Sequence, residues 1–341
     1  MEDTTVDQKA LFLSNVRSTW LEEILVLCII VPMGITGTIL NLLSLSIFLR
    51  KSLRDKAFFK YLIVHSAVNS IIAFSSIFFF YHCGHIFYDL VLSISGRIFN
   101  TFVMNSIIGY FYSFGTFIEI MINIERALFF CEGFQNYKKI SPYLISFFIF
   151  ISSFVIFLPN FLSLKMVPTD QIYKLLHITE TSEFGQSKIG KILLVVSFVL
   201  EGPIVILLLL VTYIIAVVSY EKFVKKKELL QRTNTIEILP ERELKKKIKS
   251  EKKYRNMLIM TSYLSIISII SIVVHTITLL LFYIITSSSS QTLGWLLFGC
   301  FLSISFKQLS SIIIYYNNKI FKKEFKTLIN KIFSIFNKKV T

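Results

Sequence analysis

Glu119, Glu201, His275 and Lys307 each interrupt a long run of apolar residues, and Glu125-Arg126 closes the run that holds Glu119. An ionisable side chain in such a setting costs about 2.5–3.5 kcal/mol or more unless it is paired or faces water, so its presence marks function. The chemistry open to these groups is electrostatic: pairing and release, or contact with a polar group of a ligand. Covalent chemistry has no support. There is no nucleophile beside a base, no Cys/His metal spacing and no Gly-rich phosphate loop. An enzyme, a bound metal and a cofactor are therefore not expected.

The apolar runs are the elements that must position these groups. Of 341 residues, 54% are hydrophobic, 15% aromatic and only 17% charged, and the mean hydropathy is +0.67. A soluble domain carries roughly 25% charged residues. The balance excludes a soluble globule, a disordered chain and a disulfide scaffold, and makes lipid the solvent. Seven runs are long enough to cross it, at 24–49, 61–80, 98–124, 140–164, 192–220, 257–286 and 292–316. They lack the alternation of barrel strands, so they are read as helices. The expected fold is an all-α membrane protein, a seven-transmembrane helix bundle followed by an amphipathic eighth helix. Segment 1–23 forms the outer terminus, 24–316 the membrane domain with an inner loop at 221–255, and 317–341 the inner tail.

Charge fixes the orientation. The net charge is +15, and the segments on one side of the seven runs hold 28 basic residues against 7 on the other. Lys and Arg concentrate in the cytoplasm, which places the N-terminus outside and the C-terminus inside. The excess thus reads as membrane topology, with lipids as partners, and not as a nucleic-acid surface. Loop 221–255, with Lys225-Lys226-Lys227 and Lys245-Lys246-Lys247, is attracted to anionic lipid or presents a partner-binding face. In the tail, Phe321, Phe325, Leu328, Ile332 and Phe336 recur at steps of three and four, with lysines off the stripe. That pattern is a helix lying in the inner interface. Only Cys83 of the four cysteines falls in an outer loop, so no loop disulfide is expected.

Motifs at the inner ends of three spans carry a resemblance. The first span holds Gly37-Thr-Ile-Leu-Asn41, followed by a basic loop with Lys51-Ser-Leu53-Arg54. The third ends in Ile-Asn-Ile-Glu125-Arg126-Ala127, with Phe134 beyond it. The seventh ends in Ser311-Ile-Ile-Ile314-Tyr315, and Phe321-Lys-Lys-Glu-Phe325 follows. Together, over about residues 24–336, these resemble a divergent rhodopsin-like G-protein-coupled receptor, such as the invertebrate chemosensory or peptide branches.

The resemblance implies a receptor that binds an extracellular small molecule or peptide in its outer half and activates a heterotrimeric G protein. Asn41 resembles the asparagine that braces the first helix. Glu125 and Arg126 look like the acid–arginine latch, with the acid holding the arginine at rest. Phe134 resembles the apolar plug of the second inner loop, and Tyr315 the tyrosine of the seventh-span motif. The departures are substantial. Asn69 stands where the family has the aspartate that holds sodium, Ser311-Ile312 replace Asn-Pro, and Thr101 replaces the third-span cysteine. Ile108 occupies the position at which amine receptors carry aspartate, and Lys307 is displaced from the retinal-binding position near Ser305.

Tyr112, Glu201 and His275 are the expected ligand contacts. Asn41, Asn69, Glu119 and Lys307 form the expected polar core, with Lys307 supplying a permanent cation in place of sodium, paired to Glu119 and hydrogen-bonded by Asn69. Two other seven-helix classes are less consistent with the chain. A ligand-gated channel of the insect odorant-receptor kind places its N-terminus inside, against the basic asymmetry. A small transporter calls for broken helices in paired repeats, which are not found. The orientation has a direct check. An epitope after Thr341 is expected to stain only in permeabilised cells and one before Met1 in intact cells; surface staining of the C-terminal tag would contradict it.

Overall fold

The computed structural model describes residues 20–54, 57–130, 140–172, 179–233, 259–260, 262–278, 280–281, 290–308, 310–317, 321–328 and 330. Among the described residues seven long helices follow one another in the chain, with short helical turns between some of them. They are α1 (Trp20–Phe48), α2 (Ala57–His82), α3 (Ile94–Phe130), α4 (Pro142–Leu162), α5 (Lys188–Lys225), α6 (Ser262–Thr278) and α7 (Ser290–Gln308, resuming over Ser310–Asn317). The first five are each long and apolar enough to cross a membrane. A further helix, α8, occupies 321–328. The chain is a multi-pass seven-helix bundle.

Backbone hydrogen bonding has to be completed inside each helix in lipid, which explains how the spans begin and bend. Pro142 sits in the first turn of α4, where its missing N–H is not needed. Pro203 falls within Leu200–Ile204 of α5, a stretch wound more widely than an α-helix, where a proline is accommodated. Similar wide turns occur at Val26–Ile30 and Phe99–Ile107. Small residues let helices approach: a Cβ on Gly34 of α1 would lie 2.9 Å from the Ala73 carbonyl oxygen of α2.

α2 and α3 form the centre of the bundle. Tyr61, Leu62, Ile72, Ile108, Ile118 and Ile122 of these helices are buried in one continuous core. α4 and α5 turn their apolar faces outward, as Phe148 and Val195 show at 61% and 62% exposed. Such faces suit acyl chains. α8 docks under α1, with Phe321 fully buried, its ring 5.2 Å from Phe48, and Glu324 ion-paired to Arg50. The helical part of the tail is therefore anchored to the bundle; Ile332 and Phe336 of the expected stripe lie outside the described residues.

The outer surface differs from the sequence reading in two places. First, α1 begins at Trp20, so Glu22 and Glu23 belong to the helix and are completely buried. Glu23 accepts hydrogen bonds from the His85 and Ile86 amides and pairs with the His85 ring at 2.9 Å, which satisfies its charge at the helix end. Burial, reinforced by Glu23 and Glu22, pushes the adjacent Cys83 thiol well up, so it stays protonated and unreactive. Second, the outer segment 165–191, expected as loop, includes an antiparallel hairpin. In it β1 (Leu164–Met166) pairs with β2 (Thr179–Thr181), and Lys165 lies opposite Glu180. Cys28, Cys83 and Cys300 are free thiols.

The α1–α2 contact generates a prediction. Gly34→Val drives a branched side chain into the α2 backbone and is expected to destabilise the protein by about 1–3 kcal/mol. Thermal unfolding of the purified protein in detergent checks it; an unchanged midpoint would show that the two helices are not in close contact there.

Candidate functional site

Three helices bring their polar residues to one point. α3 contributes Thr116 and Glu119, α2 His65 and Asn69, and α7 Lys307 and Ser310. Each pair is spaced three or four residues apart, which puts both members on one helix face. All six are buried, Lys307 to 1% exposure and Glu119 to 5%. The Lys307 ammonium lies 3.5 Å from Glu119 Oε1 and donates to Thr116 Oγ1 at 2.5 Å. It also sits 4.6 Å from the centre of the Tyr112 ring, a cation–π distance. On its other side the same carboxylate oxygen is 2.7 Å from His65 Nε2.

The sequence reading brings Glu119 and Lys307 together with Asn69 at their side. The structure pairs the two charges but gives Asn69 different partners. Its amide donates to Ser310 Oγ at 3.2 Å and lies 3.3 Å from the His65 ring, and the hydrogen bond of Lys307 expected at Asn69 goes to Thr116 instead. His65, Thr116 and Ser310 are the members that sequence reasoning missed. A signal existed for the first: His65 stands one helical turn before Asn69 on the same face. Asn41 is buried and donates to the Gly37 carbonyl of its own helix at 2.8 Å.

The expected ligand contacts separate into two places. Tyr112 and His275 meet, ring centres 5.1 Å apart, and the Tyr112 hydroxyl is 2.8 Å from Ser271 Oγ of α6. Glu201 is held elsewhere. Ser197 Oγ lies 3.3 Å from its Oε1, donates to the Ile156 carbonyl at 2.9 Å and accepts from Asn160 of α4 at 3.0 Å. That is the α4–α5 seam. Among the described residues no hydrogen bond or ion pair joins Glu201 to Tyr112 or His275, so the three expected contacts do not form one cluster.

At the inner end of α3, Arg126 is 1% exposed. Its guanidinium carbon lies 3.4 Å from the centre of the Phe58 ring of α2, and among the described residues none of its three nitrogens has a hydrogen-bond partner. Phe58 covers Arg126 across the α2–α3 contact, and the neighbouring Glu125 carboxylate also acts on its charge. Tyr315 lies on α7, its side chain outside the described residues, as is all of Phe134. No cluster of three or more His, Cys, Asp or Glu placed to hold a metal occurs among the described residues.

No protein-family profile and no curated protein matches the chain in sequence. Its fold does match. The crystal structure of squid rhodopsin superposes with a TM-score of 0.68 at 13% identity, covering 95% of this chain and 87% of that one. The chain therefore has the seven-helix fold of that protein.

The buried pair generates a prediction. Removing one member strands the other, which typically costs about 3–5 kcal/mol. Glu119→Gln and Lys307→Met are each expected to lower thermal stability, and the double variant to lose less than their sum, with a coupling of about 1–3 kcal/mol. Exchange of sodium for choline in the buffer is expected to leave the midpoint in place. Strictly additive losses would mean that the two charges act independently.

Proposed function

We propose that the chain is a G-protein-coupled receptor of the plasma membrane, with its N-terminus outside. In this reading an extracellular ligand binds in the outer half of the bundle, where Tyr112 and His275 meet, and a heterotrimeric G protein is activated at the inner face. The observation that carries the reading is Arg126. It is a buried cation at the inner end of α3, packed against Phe58, whose donors have no hydrogen-bond partner among the described residues. A guanidinium stacked on an aromatic face loses little when the ring moves aside, and its five N–H donors are then free for acceptors presented from the cytoplasm. Two arrangements of comparable energy are what a ligand needs in order to shift a population.

The fold of squid rhodopsin supports the bundle architecture of this reading, and the basic asymmetry of the loops supports its orientation. Glu125, Phe134 and Tyr315 keep the roles that the family resemblance implies, and Glu201, as a buried ionisable group, that of a ligand contact, as parts of the same proposal. Arg126→Ala is expected to preserve surface expression and to abolish basal G-protein activation. Phe58→Ala, which uncovers the guanidinium, is expected to raise that activation several-fold. A screen of Gα subtypes with a ligand-free readout, at matched surface levels, checks both; unchanged signalling in Arg126→Ala would overturn the proposal.

A further inference from the structure

Glu201 stands apart from the polar core. It lies about 20 Å along the α5 axis from Lys188, at about 1.5 Å per residue, and so well inside the apolar run. Ser197, one turn earlier, forms with Ile156 and Asn160 of α4 a small polar seam between the two helices. The seam reaches the outward surface. Leu193, one turn before Ser197, and Ile204, one turn after Glu201, are 39% and 38% exposed, and Glu201 and Asn160 are themselves only partly buried.

The protons of the seam can be assigned one by one. Ser197 has a single hydroxyl proton, which goes to the Ile156 carbonyl at 2.9 Å, and its oxygen accepts the Asn160 amide at 3.0 Å. Its third contact, 3.3 Å to Glu201 Oε1, therefore takes its proton from the carboxyl. A neutral acid supplies that proton. An ionised one would set two acceptors face to face and leave a charge in hydrocarbon, with no ion pair to Glu201 among the described residues. The other oxygen, Oε2, is then a carbonyl oxygen, and it has no hydrogen-bond partner among the described residues. α4 adds a second idle acceptor close by. Pro159 has no N–H to give the carbonyl of Val155, which adjoins Ile156 and is 61% exposed. Both acceptors lack a donor on a surface without water, where such groups are costly.

We propose that the outward edge of the α4–α5 seam binds an uncharged, hydroxyl-bearing lipophile drawn from the bilayer, whose hydroxyl donates to Glu201 Oε2. A hydroxyl supplies the missing donor. It brings no charge to this depth, whereas an ammonium head would have to carry one in. The inference deepens the receptor reading by naming the class of ligand that Glu201 takes. Its effect on signalling rests on that reading; the binding itself does not.

The test uses the full chain in lipid nanodiscs and a hexadecanol that carries a diazirine beside its hydroxyl, with the matched methyl ether and primary amine as comparisons. Mass spectrometry locates the photolabel. On segments 155–160 and 193–204 the alcohol is expected to label roughly 2- to 10-fold more than the ether, the span of one net hydrogen bond. Glu201→Gln, whose amide donates to Ser197 and leaves a carbonyl oxygen outward, is expected to keep that preference, and Glu201→Leu to abolish it. Dicyclohexylcarbodiimide enters bilayers and modifies protonated carboxyls; it is expected to modify Glu201, and more slowly with the alcohol present. Equal labelling by alcohol and ether, stronger labelling by the amine, a preference that survives Glu201→Leu, or no carbodiimide modification of Glu201 overturns the proposal. No G protein takes part, so a chain that takes up the alcohol at this seam and never couples would refute the receptor reading alone.

Discussion

A charge carried into hydrocarbon must meet its opposite there, and in this protein that requirement is met by Lys307 and Glu119. The pair sets the relative position of α3 and α7. His65 and Asn69 extend it to α2, and Asn69 returns to α7 through Ser310. In water the same pair would contribute little. Inside the bundle, removal of one partner leaves an uncompensated charge, so the three helices have no inexpensive way to separate.

The rest of the bundle is arranged around that fixed point by weaker forces. Apolar packing and a close glycine contact bring α1 against α2. An aromatic cluster and the Arg50–Glu324 pair hold α8 under α1. Hydroxyl bonds hold α6. Arg126 packs against Phe58 at the inner end of α3, its donors without a hydrogen-bond partner among the described residues.

The number and order of the helices were legible because the signal is collective: some twenty apolar residues in succession leave few alternatives. The buried charges were legible for the same reason, each being an exception within such a run. Partners were harder to read. Asn69 is expected to hydrogen-bond Lys307 on depth alone, but depth does not fix azimuth, and Thr116 of α3 accepts that bond. Glu201 shows the same gap: its level in the membrane was legible, whereas its facing toward α4 depends on how α5 is rotated. At the outer end, Glu22 and Glu23 read as solvent-facing acids because the His85 and Ile86 amides that bury Glu23 are about sixty residues away.

The central claim is that Glu119 and Lys307 are both charged within the bundle. Infrared difference spectroscopy between the unmodified protein and Glu119→Gln, in nanodiscs, reads that state directly. The substitution is expected to remove an ionised carboxylate band and to leave the protonated-carboxyl region unchanged. Loss of a protonated-carboxyl band would contradict it, because a neutral acid cannot be the counter-ion that holds α7 to α3.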